Sequence, residues 1–191
     1  SILFEDLQAA YLRAVAGHAV ELPARTRSLR AWAEQLQAFA RHTGQNQELA
    51  YWQQLHGASN DLPCDRAADR LINRNSNSVQ VVLDKQRTRQ LLQQAPAAYR
   101  TQVNDLLLSA LAQVITRWSG HDDLLLQLEG HGREELFEDM DLTRTVGWFT
   151  SLFPVRLTPA STLGGTIKQI KEQLRAIPNK GIGFGALRYL G

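Results

Sequence analysis

Residues 124–135, which read LLLQLEGHGREE, determine how the rest of the chain is interpreted. The first half of this stretch predicts a β-strand, with three leucines on one face, because successive side chains of a strand point to opposite faces. Glu129, His131 and Arg133 then lie along one edge, separated by glycines that let a ligand approach the backbone. A carboxylate at a strand end is a candidate general acid or base. From spacing alone, a surface carboxylate paired with Arg133 is the alternative.

Composition excludes several classes of protein. The 191 residues suffice for one domain or for a large piece of a bigger one, and a net charge of +2 gives no reason to expect nucleic-acid binding. The single cysteine, Cys64, excludes an internal disulfide framework, and the five histidines lack metal-site spacing, so no metal is expected. Without a spanning apolar run or a secretory signal, the sequence predicts no membrane association and a cytoplasmic location.

Hydrophobic periodicity and breaker residues define the elements. Helices are predicted over residues 2–17, 29–42, 45–56, 85–94, 103–118 and 163–176. Strands are predicted over residues 79–83, 124–129 and 145–157, the last interrupted around Pro154. Pro96 is expected to end its helix, and the glycine-rich residues 178–190 are expected to form a close-packed backbone crossing. This order of elements predicts an α/β or α+β fold, a mixed sheet packed with helices.

Three stretches together point to a known family. They are EGHGRE at 129–134, RTVGWFT at 144–150 and PNKGIGFG at 178–185. In order and spacing they resemble three successive motifs of the epimerization domains of nonribosomal peptide synthetases. The opening ILFEDL resembles the segment after the HHxxxDG motif of that family, so the resemblance covers essentially the whole chain. The sister condensation domains lack the EGHGRE form.

The resemblance implies a fold like that of chloramphenicol acetyltransferase, in which two lobes enclose a tunnel. Residues 1–60 would be the end of the first lobe and a linker, and residues 61–191 would belong to the second lobe. No cofactor would be bound directly, because the substrate arrives on the phosphopantetheine arm of a carrier protein. The implied partners are a peptidyl carrier protein, the first lobe with its HHxxxDG motif, and neighbouring synthetase domains.

The reaction implied by the resemblance inverts the α-carbon of an aminoacyl or peptidyl thioester. Glu129 matches the motif glutamate, which serves as an acid/base. The second acid/base is expected from HHxxxDG, which this sequence lacks, so the chain alone is expected to be inactive. Supporting or substrate-channel positions are expected at His131, Arg133, Trp148, Phe149 and Phe184.

Phe184 stands where the family usually has tyrosine, which leaves a packing role at that position. Two alternatives remain open at the level of the sequence. The first is a condensation domain that forms peptide bonds. The second is a non-catalytic lobe that docks carrier protein, an alternative that the missing HHxxxDG motif suggests.

Overall fold

The structure is a computed structural model that describes residues 1–41, 45–55, 57, 61–66 and 72–191. The backbone divides into two compact units. The first unit comprises Ser1–Gln54, Leu128–Phe153 and Pro178–Gly191, and the second comprises Leu55–Gln127 and Pro154–Ile177. The lobe boundary predicted between residues 60 and 61 falls at the edge of the undescribed residues 58–60 and stays a prediction.

Helices dominate both units. In chain order they are α1 (Ile2–Val15), α2 (Leu29–Arg41), α3 (Gln45–Gln53), α4 (Lys85–Arg89), α5 (Ala95–Tyr99), α6 (Val103–Ser119), α7 (Leu163–Arg175) and α8 (Ile182–Leu190). A π-helical turn, Gln90–Gln94, joins α4 to α5, and a short 3-10 turn covers Asn73–Asn75. Pro178–Gly181 is a turn in which Asn179 and Lys180 have left-handed backbone. The strands β1 (Leu124–Gly130) and β2 (Ser151–Leu157) pair in a two-stranded sheet. Within the described residues, no helix is long and apolar enough to cross a membrane.

Local capping signals set the helix boundaries that the sequence predicts. The Ser28 hydroxyl accepts a hydrogen bond from the Ala31 N–H at 3.1 Å and begins α2. Asp84 caps α4 in the same way, accepting from the Arg87 N–H at 2.7 Å. Gly120, with a φ of 77°, ends α6 in the left-handed conformation typical of a C-terminal glycine. The predicted ends of α2 at residue 42 and of α3 at residue 56 lie outside the described residues.

Two of the predicted breaks are wrong. Pro96 does not end its helix, because the preceding π-helical turn changes the hydrogen-bond ladder and lets helical backbone continue through α5. Pro154 lies inside β2. A proline is tolerated there because each strand of a two-stranded sheet has an unpaired edge where a missing N–H costs little.

Residues 79–83 are not a strand, contrary to the prediction. The segment has no assigned secondary structure, and its valines are exposed, with Val79 at 92%. β-Branched residues favour extended backbone, but a strand also requires a neighbour that completes its hydrogen bonds. The part of the chain described by the structure supplies no such neighbour to this segment.

Each unit has its own packing. In the first unit, a buried cluster of Trp32, Leu142, Phe149 and Ile182 joins α2, α8 and the segment between the strands. In the second unit, α6 packs on α7, where Gln113 Nε2 donates to the fully buried Thr166 hydroxyl at 3.0 Å. The first of these cores supports the end of β1, where the candidate site lies.

Candidate functional site

The end of β1 presents Glu129 to solvent. Exposure along the strand alternates, with Gln127 and Glu129 exposed and their neighbours partly buried. Gly130 follows, and a Cβ at this position would lie 2.8 Å from the Ser151 hydroxyl oxygen. The end of β1 therefore lies beside the start of β2, and a side chain at position 130 would displace the Ser151 hydroxyl. The Glu129 carboxylate is accessible to a substrate at this strand end.

Both ring nitrogens of His131 are engaged. Nδ1 accepts a hydrogen bond from the Arg133 N–H at 3.0 Å, and Nε2 lies 3.0 Å from a carboxylate oxygen of Glu134. This arrangement fits the neutral tautomer that carries its proton on Nε2. His131 therefore holds the turn after β1 in place, with both ring nitrogens bonded to groups of the same turn.

Arg133 directs its guanidinium into the segment between the strands. Nη1 donates to the Leu142 carbonyl at 2.6 Å, and Nη2 donates to the carbonyls of Thr145 at 2.8 Å and Gly147 at 3.5 Å. The guanidinium carbon also lies 4.0 Å from the centroid of the Phe149 ring. The sequence prediction that Arg133 pairs with a carboxylate on its own strand edge has no counterpart among these contacts.

The third motif reaches the end of β1 through Glu134. Lys180 Nζ donates to Glu134 Oε2 at 2.6 Å, while the other oxygen of the same carboxylate faces His131. Lys180 has a φ of 51°, and a Cβ on the following Gly181 would lie 2.1 Å from the Phe153 ring. The close packing predicted for residues 178–190 is confirmed at Gly181, since only glycine fits against that ring, but residues 182–190 form the helix α8.

The same motif is fixed on its other side by α3. The Glu48 carboxylate is 5% exposed and accepts hydrogen bonds from the Asn179 side-chain amide and, at 3.5 Å, from Trp52 Nε1. A Cβ on Gly183 would lie 1.6 Å from a Glu48 oxygen. Phe184 packs edge-on against Trp52, with ring centroids 5.2 Å apart, as expected for a residue without a phenol hydroxyl.

The two aromatic residues of the middle motif have different environments. Phe149 is buried in the core of the first unit, where Trp32 lies 6.3 Å away between ring centroids. Trp148 is 87% exposed. The structure thus gives Phe149 a packing role and leaves the Trp148 indole available to contact another molecule.

Several carboxylates near the candidate site form hydrogen bonds or ion pairs. The side-chain and backbone hydrogen bonds from Thr143 hold the pKa of the Asp141 carboxyl below its usual value. Arg144 pairs with Asp6 of α1, tying the middle motif to the first helix. Among the described residues, no three metal-ligating side chains converge.

Two of the contacts that bind the motifs together were not predicted from the sequence. Glu48 lies in α3, 131 residues before Asn179, and no local pattern distinguishes it from other helix carboxylates. Lys180 belongs to the predicted glycine-rich crossing, but its ion pair with Glu134 connects two motifs. The feature of the sequence that could have indicated these contacts is that the motifs occur together in one chain.

The model of the family described as "Condensation domain" matches residues 1–191. This chain belongs to the condensation-domain family. Its mixture of helices with a small sheet is the condensation-domain fold, so the predicted chloramphenicol-acetyltransferase-like class is confirmed. The positions assigned to Glu129 and its neighbours as site residues stay predictions.

Similar proteins are peptide synthetases. This condensation-family chain is 49% identical to one of the linear gramicidin synthase proteins of Brevibacillus parabrevis, over 99% of the chain and 2% of that protein. It is 40% identical to tyrocidine synthase 1 of the same organism, over 99% of the chain and 18% of that protein. The chain therefore spans only a small part of these relatives.

Solved structures agree with this placement. The epimerization domain from the third module of tyrocidine synthetase B matches with a TM-score of 0.84 and 40% identity, over 99% of this chain and 43% of that domain. The first condensation domain of the calcium-dependent antibiotic synthetase matches with a TM-score of 0.72 and 18% identity, over 100% of this chain and 42% of that chain. At that identity the second match shows the fold alone.

Proposed function

We propose that this chain is part of an epimerization domain, which inverts the α-carbon of a carrier-bound aminoacyl or peptidyl thioester. The observation that supports this most is the 40% identity to an epimerization domain, together with the exposed Glu129 at the strand end where the three motifs meet. The condensation domain of the same fold is only 18% identical. The substrate would arrive on the phosphopantetheine arm of a peptidyl carrier protein.

The proposed chemistry assigns one proton transfer to Glu129. The carboxylate removes the α-proton of the thioester, and the electron pair moves onto the carbonyl oxygen as an enolate. Reprotonation on the opposite face gives the inverted centre. Neither His131 nor Arg133 suits that second transfer, because both are held by other groups. We propose that the second acid/base is a residue of the HHxxxDG motif that the family resemblance implies.

Exchange of the α-proton with deuterated solvent tests the proposal. The complete domain is loaded with an aminoacyl thioester on its carrier protein, and deuterium incorporation is followed by mass spectrometry. Glu129→Gln preserves the shape of the side chain and removes the base, so exchange is expected to fall by about 10²-fold or more. Glu135→Gln, which neutralises an exposed carboxylate six residues further along, is the matched control and is expected to exchange at the wild-type rate.

The outcomes separate the candidate functions. Wild-type exchange in the Glu129→Gln variant contradicts the assigned role of Glu129. Peptide-bond formation without any α-proton exchange in the wild-type domain favours a condensation domain instead. Carrier binding without either reaction favours a docking lobe.

A further inference from the structure

Residues 146–148 form a short exposed protrusion between two buried anchors. Thr145 and Phe149 are buried, whereas Val146, Gly147 and Trp148 between them are exposed. The Thr145 N–H donates to the Leu142 carbonyl at 3.1 Å, which closes a turn on the first side. The protrusion therefore presents the Trp148 indole from a base whose geometry is defined.

The Arg133 side chain links that base to the end of β1. The Arg133 guanidinium donates to the Leu142 and Thr145 carbonyls before the protrusion and to the Gly147 carbonyl within it, and it stacks on Phe149 after it. A planar fork with several donors can bind carbonyls on both sides of a turn at once. An ammonium group, as a point charge on a flexible stem, cannot reproduce this set of contacts.

Arg133 lies four residues after Glu129, and its own backbone is fixed by the His131 imidazole. Gly132 adds a second link to the protrusion, because it touches the Phe149 backbone so closely that a Cβ would lie 1.6 Å from the Phe149 carbonyl oxygen. The position of the protrusion is therefore set relative to the strand end that carries the carboxylate.

We infer that Arg133 is a positioning residue that holds the Trp148 protrusion at a fixed position relative to Glu129. Trp148 then contacts the arm that carries the thioester, while the α-carbon of the substrate meets the Glu129 carboxylate. Arg133 acts through Trp148 and does not touch the substrate. This inference rests on the proposed function. It gives a specific form to the supporting or substrate-channel role that the sequence predicts for Arg133.

The test measures kcat and KM for α-proton exchange in the complete domain with carrier-bound substrate. Arg133→Lys keeps the charge and loses the fork, and kcat is expected to fall by at least about tenfold, because misplacing a substrate by about 1 Å costs up to 10²-fold. KM is expected to change by less than about threefold. The matched control is Arg27→Lys, since the Arg27 side chain donates through Nε to the carbonyl of Asp139 at 3.0 Å.

A double mutant identifies the route of the effect. If Arg133 acts through Trp148, then Trp148→Ala lowers kcat, and adding Arg133→Lys to it costs little more than the larger single loss. Guanidinium ions added to Arg133→Ala are expected to restore part of kcat, and ethylammonium ions are not. Amide hydrogen exchange at Thr145 is expected to accelerate in Arg133→Lys while that of α8 is unchanged.

Multiplicative losses in the double mutant, or a wild-type kcat in Arg133→Lys, would overturn the inference. Acceleration of amide exchange throughout α8 as well as at Thr145 would also overturn it, because Arg133 would then stabilise the fold in general. A wild-type domain that exchanges no α-proton refutes the proposed function itself, which separates the two failures.

Discussion

Replacing Gly132 with alanine tests the contact between the end of β1 and the segment before β2. Gly132 has a φ of +68°, and a Cβ would lie 1.6 Å from the Phe149 carbonyl oxygen and 2.6 Å from its carbonyl carbon. Backbone atoms cannot rotate away as the tip of a side chain can. Accommodating the methyl group therefore requires the two segments to separate.

Two terms contribute to the expected loss of stability. Holding an L-residue in the left-handed region costs about 1–2 kcal/mol. Forcing a methyl group into a closed contact adds about 1–3 kcal/mol. We expect Gly132→Ala to lower the free energy of unfolding by about 2–5 kcal/mol, a large share of the ~5–15 kcal/mol typical of a folded protein.

Gly120 supplies the matched control. It has a φ of +77°, and a Cβ there would meet nothing within 4 Å. Gly120→Ala therefore carries only the conformational term, about 1–2 kcal/mol. Urea unfolding followed by circular dichroism compares the two variants with the wild type. Equal losses in the two variants would refute the close approach of Gly132 to Phe149, because the contact is the only term in which they differ.

Two further predictions concern the same segment. Thr143→Val removes the hydroxyl that donates to Asp141, so the pKa of Asp141 should rise toward its ordinary value in an NMR titration. Because the pKa of Asp141 is lower in the folded state, this carboxylate stabilises the wild type at pH values above its unfolded pKa. That stabilisation is lost as the pH falls through the folded pKa. Arg144→Gln and Asp6→Asn should couple by about 0.5–1 kcal/mol in a double-mutant cycle measured by urea unfolding, since the pair is only partly exposed, and additive losses would contradict the ion pair.

Helices α1 to α4, α6 and α7 were predicted because their signals lie within the helices and their flanks. The Ser28 and Asp84 caps and the Gly120 stop each depend on residues at most four positions away. The strand prediction for residues 79–83 failed because β-propensity describes how a residue fits a sheet, and the neighbouring strand is a separate condition. Pro96 and Pro154 were misread because their cost depends on the hydrogen-bond pattern around them.

The candidate site was predictable only in part, for a related reason. Strand alternation places the exposed Glu129 correctly, because it needs nothing beyond β1 itself. The hydrogen bonds of the Arg133 guanidinium were not predicted, because the carbonyls that accept them lie 9 to 14 residues further along the chain. A flexible cation next to a carboxylate in sequence suggests an ion pair, but a cluster of backbone carbonyls nearby satisfies more of its donors.

Helix α8 shows how packing reverses a local expectation. Its glycines are poor helix formers, costing about 1 kcal/mol each relative to alanine, and the sequence predicted a close-packed crossing over residues 178–190. Ile182 and Ala186 are nevertheless buried, and the carboxylate of Glu48 fills the space that a side chain at position 183 would need. A buried carboxylate needs donors, and it has the Asn179 amide beside the positive N-terminus of α8. Glycine at 183 thus leaves room for Glu48, which in turn stabilises the helix start that the glycine would otherwise weaken.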